Sequence, residues 1–352
     1  MKTGSKILGI AMVGLLLLLN TLARSEEFTK KMSKSFDVNK NALLELKNKF
    51  GKIQCLNWDQ DIVKVDVEIT INTSNQDKAD KYFNRINVDI SGSADKVSVI
   101  TSYDDNLFKN NNNDITIDFT IQMPESLQLE VNHKFGDLII EKITGNSDIS
   151  LGYGNFDIAA LAGSGNMLDI QFSDGKIGYV KNVELELKYS DLEIDEAGSM
   201  NAETKFSDFE LGKVDVLTLE TGYDDDYIGF ARDADIESSF SDVEIRNLSE
   251  KIVADIDYGE LKVKEVDASF SLIDISNNFA DASLGISPQA SFKLVATIKM
   301  GSFNFPENDA RFTVVDLSHT SQKYEGIVGD DENTTSRVLI DTKTGGTNLY
   351  FR

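Results

Sequence analysis

Residues Val183–Ile194 read Val-Glu-Leu-Glu-Leu-Lys-Tyr-Ser-Asp-Leu-Glu-Ile. Apolar residues up to Tyr189 stand at odd positions between charged residues, which predicts that they share one face of a β-strand. After Tyr189 the phase slips by one, because the next apolar residue is Leu192. A corner at Ser190-Asp191 explains the slip, since both flanking strands can then point their apolar faces inward. The same phase predicts that Tyr189 itself points inward.

This arrangement recurs along the chain. Each alternating segment ends on an aromatic residue, which a short polar or glycine-containing pair and a new alternating segment follow. The corner aromatics are Phe135, Tyr153, Phe172, Tyr189, Phe206, Tyr223, Phe240, Tyr258 and Phe279, with Met300 in the next position. A unit of about 20 residues cannot bury its apolar face alone, but stacked units share one continuous core. The sequence therefore predicts an all-β solenoid with repeats of about 17–21 residues, as the spacing of these aromatics indicates.

Phe and Tyr alternate strictly through these corners. Two arrangements explain the alternation. In one, adjacent coils contribute Phe and Tyr in turn to a single aromatic stack. In the other, each full turn holds two half-turns, and Phe and Tyr form separate stacks on opposite sides. The sequence is compatible with both.

The segments that flank the repeats define the predicted organisation. Lys2 and Lys6 precede the apolar run Ile7–Leu19, which is too short to span a bilayer comfortably and is typical of a secretory signal. The sequence predicts a short helix near Asn75-Gln76-Asp77. The predicted parts are a signal peptide (1–25), a flexible leader (26–35), an N-terminal β region that caps the solenoid (36–124), the repeats (125–305) and a C-terminal β cap (306–352).

Composition limits the classes of partner. The chain has 352 residues, a formal net charge of −24 and 41% hydrophobic residues, so it can bury a core despite its charge. A negative surface argues against nucleic acid and anionic membranes as partners. The acidity keeps a long surface soluble or attracts cations such as metal ions and basic peptides. Outside the signal peptide, the sequence predicts no transmembrane segment.

The chain resembles the exported family of Bacteroidetes and related bacteria that is known as putative adhesins. The resemblance lies in Asn48–Ile53, Asn57–Asp59, Met123-Pro124, Lys134–Leu138 and the serial aromatic corners, and it covers roughly residues 36–305. It implies a right-handed, mostly parallel β-helix, export to the cell envelope and no established enzymatic activity. An outer-membrane translocator barrel and a C-terminal sorting module are not recognisable in the sequence.

Candidate chemistry is sparse. His133 stands in the inward phase and is predicted to be a packed histidine in the core or at an edge, while His319 is the other histidine. Gly163-Ser164-Gly165 reads as a turn rather than a nucleophile elbow. The lone cysteine, Cys55, excludes an intramolecular disulfide and is predicted to be buried.

Acidic residues follow the corner aromatics at a fixed position. They are Asp137, Asp174, Asp191, Asp208, Asp225, Asp242 and Asp281, with Asn155 and Glu260 as substitutes. They either accept backbone N–H groups and close their own corners, or form a ladder that binds cations. Tyr223-Asp224-Asp225-Asp226 is the densest calcium candidate but lacks the spacing of a dedicated calcium loop. The sequence therefore assigns no catalytic, cofactor-binding or metal-binding residue and no cofactor.

The predicted function is that of a non-enzymatic, exported scaffold for binding or adhesion in the cell envelope or at the surface. Its ligand would be a glycan, a protein or another envelope component. An alternative is an envelope-stress sensor or regulator that binds cationic peptides or a basic partner. A polysaccharide lyase or hydrolase is a third possibility. The predicted location is the periplasm, the outer membrane or the cell surface.

Overall fold

The computed structural model describes residues 26–104, 107, 115–306 and 309–352. The predicted signal peptide (1–25) and the asparagine run Asn110–Asn113, predicted to lie in a flexible loop, fall outside the described residues. Within the described part, no helix is both long and apolar enough to cross a membrane.

The described residues form 23 β-strands and one α-helix, so the prediction of an all-β chain is confirmed. The N-terminal elements are β1 (Glu26–Asp37), β2 (Leu43–Asn48), β3 (Ile53–Asn57), β4 (Ile62–Thr73), α1 (Gln76–Phe83), β5 (Ile86–Gly92), β6 (Lys96–Tyr103) and β7 (Ile115–Met123). The central elements are β8 (Gln128–Lys134), β9 (Leu138–Ile143), β10 (Ser147–Gly152), β11 (Asn155–Leu161), β12 (Asn166–Gln171), β13 (Asp174–Lys188), β14 (Asp191–Lys205), β15 (Asp208–Gly222), β16 (Asp225–Ser239), β17 (Asp242–Asp257) and β18 (Glu260–Val266). The C-terminal elements are β19 (Leu272–Ile286), β20 (Phe292–Asn304), β21 (Ala310–Leu317), β22 (Gln322–Val328) and β23 (Arg337–Phe351).

Parallel pairing dominates the centre of the molecule. From β13 to β17 each strand pairs in parallel with the next one along the chain. The register brings Asp191 opposite Asp208, Asp208 opposite Asp225, and Asp225 opposite Asp242. Equivalent residues of successive coils therefore form straight columns across the sheet, as expected for stacked repeats.

At a corner the buried positions change from odd to even residue numbers, or from even to odd. β13 ends at Lys188 and β14 begins at Asp191, so the chain breaks where the phase slip predicted a corner. Leu187 and Leu192, on either side of the break, are both buried. The prediction that Tyr189 points inward is wrong, because Tyr189 adopts a left-handed backbone conformation with φ of 52° and is 51% exposed.

The N-terminal region departs from simple stacking. β1 pairs antiparallel with β4 along its whole length, so the prediction of a flexible leader at 26–35 is wrong. Met32 and Phe36 of β1 pack against the core, which holds this edge strand in place. The predicted short helix is confirmed as α1, and its N-cap Asn75 accepts a hydrogen bond from the backbone N–H of Lys78 at 3.0 Å.

The N-terminal strands also join the repeats. β2 pairs in parallel with β8, and β3 pairs in parallel with β9. β4 and β7 pair antiparallel beside them, which covers the stack with a different strand arrangement. This mixed region occupies the position of the predicted N-terminal cap.

The C-terminal strands do not follow chain order. β23 lies between β19 and β20 and pairs in parallel with both. β22 pairs antiparallel with the other side of β20, and β21 pairs antiparallel with β22. Of the segment 306–352, predicted as a cap, β21 and β22 lie beyond β20, whereas β23 is an interior strand.

Candidate functional site

Ten aromatic rings form one continuous stack along the outside of the coils. Neighbouring ring centroids are 4.8–5.4 Å apart, and neighbouring rings are tilted by at most 17°. We call this stack the aromatic ridge; its members are Phe50, Phe135, Tyr153, Phe172, Tyr189, Phe206, Tyr223, Phe240, Tyr258 and Phe279. The nine corner residues are each 43–57% exposed. Phe and Tyr share a single stack, so adjacent coils alternate, and the arrangement with two separate stacks is wrong.

The left-handed backbone at each corner turns these rings outward. All nine corner aromatics have φ between 51° and 63°, a region in which large L-residues are rare. Each such residue costs about 1–2 kcal/mol, while an aromatic pair contributes about 0.5–1.5 kcal/mol beyond its buried area. An interior ring has two stacked neighbours, so stacking offsets the backbone strain at each corner.

A second column runs along the inside of the same corners. The backbone N–H of Ser173 donates to Oγ of Ser190 at 3.0 Å, and the N–H of Ser190 donates to Oγ of Ser207 at 3.3 Å. Oγ of Ser190 in turn donates to the carbonyl oxygen of Lys188 at 2.8 Å. This serine ladder connects buried corner groups of successive coils and leaves their donors satisfied.

Four of the acidic residues after the corner aromatics accept a backbone N–H group, namely Asp137, Asp174, Asp242 and Asp281. Oδ1 of Asp174 accepts from the N–H of Asp191 at 3.1 Å, and Oδ1 of Asp242 accepts from the N–H of Glu260 at 2.9 Å. The predicted acceptance of backbone N–H groups is therefore present, but the donor belongs to the next coil rather than to the same corner. Burial and the nearby carboxylates of Asp191 and Asp225 raise the pKa of Asp208.

A more continuous set of carboxylates stands three residues before six successive corner aromatics, from Phe172 to Tyr258. We call it the acidic column; it consists of Asp169, Glu186, Glu203, Glu220, Glu237 and Asp255. The strand register places each member directly opposite the next. Parallel strands lie about 4.8 Å apart, so these charges follow one another at close spacing. The constant offset from the aromatics was visible in the sequence but was not used to predict this column.

Lysine neutralises only part of the acidic column. Lys188 pairs with Glu186, and Lys205 pairs with Glu203 at 2.7 Å. The next coils carry Gly222, Ser239 and Asp257 at the equivalent position. An open groove of about 660 Å³ runs over the column and is lined by five of its members. Its uncompensated half begins at Glu220.

The histidines and the cysteine lie where packing explains them. His133 is fully buried, as predicted, and its Nδ1 lies 3.3 Å from the carbonyl oxygen of Asn48. Burial lowers the pKa of His133. Cys55 is buried as well, and burial raises the pKa of its thiol to about 12. His319 is exposed, and Ser164 lies in the short connection between β11 and β12.

The calcium candidate is divided between the inside and the outside of the coil. Asp224 and Asp226 are buried, whereas Asp225 is exposed. In the part of the chain that the structure describes, no group of three or more His, Cys, Asp or Glu residues is arranged to hold a metal ion.

Comparisons with known proteins give structural neighbours only. No family model matches the chain, and no curated protein matches it. Several solved structures that align with it are named as putative adhesins or as a putative cell adhesion protein. One from Parabacteroides merdae is 10% identical, with 72% of this chain and 95% of that chain covered and a TM-score of 0.32.

Two further structures align in the same way. One from Parabacteroides distasonis is 8% identical, with 72% and 96% of the two chains covered and a TM-score of 0.33. A putative cell adhesion protein from Clostridium sporogenes is 11% identical, with 94% and 100% covered and a TM-score of 0.18. TM-scores this low do not establish a common fold or function.

Proposed function

We propose that this chain is a non-enzymatic, exported β-solenoid that binds a cationic partner at the cell envelope or surface. The acidic column is the observation that carries the proposal. The proposal includes the predicted signal peptide, the right-handed coil implied by the family resemblance, and a role as a binding or adhesion scaffold.

Repulsion between neighbouring carboxylates of the acidic column lowers the stability of the chain when no partner is bound. Like charges directly opposite each other in a sheet are destabilising. Two unit charges 5 Å apart repel by about 0.8 kcal/mol in bulk water before screening by salt. From Glu220 onward, Gly222 and Ser239 replace the lysines that pair with the earlier members. A bound cationic chain would relieve this repulsion, which supports the acidic column as a binding surface.

The form of the groove indicates the kind of partner. It is open and elongated across successive coils, and no lysine or arginine is among the described residues that line it. Such a surface favours an extended segment rich in Lys or Arg over a compact anionic or apolar ligand. Charge complementarity of this kind acts mainly on the association rate and on specificity.

Binding of a fluorescein-labelled decalysine peptide to the purified full-length protein tests the proposal. We expect affinity to fall steeply with added salt. The double variant Glu220→Gln/Glu237→Gln should weaken binding about two- to thirtyfold, since each of the two lost charge contacts is worth about 0.2–1 kcal/mol. The control Glu26→Gln/Glu27→Gln removes the same charge from β1 and should bind like the wild type. Equal weakening by both variants would show that net charge, not the acidic column, attracts the peptide.

Adhesion and sensing would both use the acidic column, so peptide binding does not distinguish them. Protease treatment of intact cells does, because it reports on which side of the outer membrane the protein lies. Loss of the repeats from intact cells would support adhesion at the surface. Protection until the outer membrane is opened would favour the periplasmic sensor. Release of reducing sugar from uronate polymers by the purified protein would contradict the non-enzymatic proposal.

A further inference from the structure

One carboxylic acid occupies a position that neighbouring coils fill with apolar side chains. The register aligns Asp226 of β16 with Phe209 on β15 and with Val243 on β17. Phe209 and Val243 are buried core residues, and Asp226 itself is only 3% exposed. The side chain of Asp226 therefore points into the core, where an ionised carboxylate is strongly unfavourable.

Its neighbour Asp224 is saturated with hydrogen-bond donors. Oδ2 of Asp224 lies 2.8 Å from the hydroxyl oxygens of both Thr204 and Thr221, and it accepts the N–H of Gly222 at 3.1 Å. Oδ1 of Asp224 accepts the N–H of Ser207 at 2.7 Å. This set of donors suits a carboxylate anion.

Asp226 has far fewer donors. Its Oδ2 lies 2.6 Å from Oγ1 of Thr221, while its buried Oδ1 has no hydrogen-bond partner. The hydroxyl of Thr221 carries a single hydrogen, yet it lies within hydrogen-bond distance of one carboxylate oxygen on each aspartate. If both aspartates were ionised, one of these two short oxygen–oxygen contacts would contain no hydrogen.

We propose that Asp226 is a neutral carboxylic acid in the folded protein below neutral pH and makes the coils from β15 to β17 less stable as the pH rises toward neutral. Its proton, held on Oδ2, donates to Oγ1 of Thr221, and Thr221 donates to Oδ2 of Asp224. Every close contact then contains one hydrogen. The unpartnered Oδ1 is the carbonyl oxygen of an acid, which is less costly to bury than a charged oxygen.

The charged groups around Asp226 also favour its protonated form. Asp224 at the corner, Asp208 on β15, Asp225 on β16 and Asp242 on β17 are all acidic. Among the described residues, no ion pair joins any of them to a lysine or an arginine. Burial, followed by the charges of Asp224, Asp225 and Asp208, raises the pKa of Asp226 to about 7.

The sign of the pH dependence follows from this raised pKa. An unfolded aspartate has a pKa near 3.9, so between about pH 4 and pH 7 the folded protein holds a proton that the unfolded chain has lost. Stability from this group is therefore fully present below about pH 4. It decreases as pH rises toward the folded pKa of about 7 and is absent above it.

Urea unfolding of the full-length protein across pH 5–8 tests this inference. The quantity to compare is the ratio of the unfolding equilibrium constant of the wild type to that of Asp226→Asn. This ratio should increase about tenfold per pH unit up to pH 7, because unfolding of the wild type releases one additional proton. Asparagine keeps a donor for Thr221 but cannot ionise, so this variant should be the more stable protein at pH 8. The control Asp191→Asn removes an exposed carboxylate and should keep the wild-type slope. A wild-type to Asp226→Asn difference that is constant across pH would overturn the inference.

Two further measurements separate a proton from a cation and do not require the variant to fold. The infrared spectrum of the wild type should show a protonated carboxylic acid C=O band at pH 6 that disappears at pH 9. Absence of this band at pH 6 would overturn the inference. Added Ca²⁺ should leave this band unchanged at pH 6, because a protonated carboxylic acid is a poor ligand for the ion. Loss of the band with Ca²⁺ would mean that the site takes a cation in place of the proton, which would also overturn the inference.

Discussion

Seven of the nine corners of the coils belong to two kinds that look the same from outside. In one kind serine follows the aromatic residue, as at Tyr189-Ser190, and in the other glycine does, as at Tyr153-Gly154. The ring of Phe172 lies 4.8 Å from that of Tyr153 and 4.9 Å from that of Tyr189, so the aromatic ridge does not distinguish them.

Inside the coil the two kinds differ. Ser190 links its corner to neighbouring coils, because its Oγ accepts the N–H of Ser173 and its own N–H donates to Oγ of Ser207. At Gly154 the backbone approaches the preceding coil so closely that a Cβ would lie 2.0 Å from the carbonyl oxygen of Gly136. The same external column of rings is therefore compatible with two packing arrangements inside the corner, a ladder of serine hydroxyls and a close approach of two backbones.

Exchanging the two kinds of corner should have the largest effect. Gly154→Ser introduces the residue that neighbouring coils use, but its Cβ meets the Gly136 carbonyl oxygen. We expect a loss of about 3 kcal/mol in the free energy of unfolding, at the upper end for overpacking. The reverse exchange, Ser190→Gly, should cost only about 1–2 kcal/mol, because it removes hydrogen bonds without a clash. Urea unfolding measures both, and equal losses would mean that the two corners are interchangeable.

Substitutions in the aromatic ridge should separate stacking from backbone strain. Tyr189→Ala removes two stacked contacts and should cost about 2 kcal/mol. Tyr189→Gly loses the same contacts but relieves the left-handed strain, so it should be about 1 kcal/mol more stable than the alanine variant. At Thr218, an exposed strand position, the order should be reversed, with glycine the less stable. Unfolding midpoints that rank alanine above glycine at both positions would contradict the strain argument.

The smallest effect should come from completing the lysine pairing of the acidic column. Ser239→Lys places a lysine where Lys205 stands two coils earlier, beside Glu237 instead of Glu203. We expect a gain in stability of no more than about 0.5 kcal/mol, because exposed ion pairs contribute little. Decalysine binding should weaken in the same variant. Unchanged binding would indicate that the peptide does not contact this half of the acidic column.

The sequence predicted the repeats and the corners because both depend on apolar periodicity. The phase slip between Leu187 and Leu192 located the break between β13 and β14. The direction of the corner aromatics was predicted wrongly, because alternation assumes that every residue stays in the β region. A single residue with positive φ, such as Tyr189, moves the side chain to the opposite face.

Long-range pairing was beyond the sequence pattern. The segment 26–35 contains few apolar residues and reads as a leader, yet antiparallel pairing with β4 orders it. The acidic column could have been found from its constant offset before the aromatics. The protonation of Asp226 could not, because it depends on which hydroxyl and carboxylate oxygens the coils bring together.

The insertion of β23 between β19 and β20 has a consequence for how the chain is assembled. Coils added strictly in chain order could form one after another as the polypeptide is delivered. Here the facing edges of β19 and β20 stay unpaired until β23, which follows β21 and β22 in the chain, has been synthesised and inserts between them. We therefore expect the C-terminal part of the sheet to fold as one cooperative unit. Trimming the chain before Arg337 would therefore split the stack rather than shorten it.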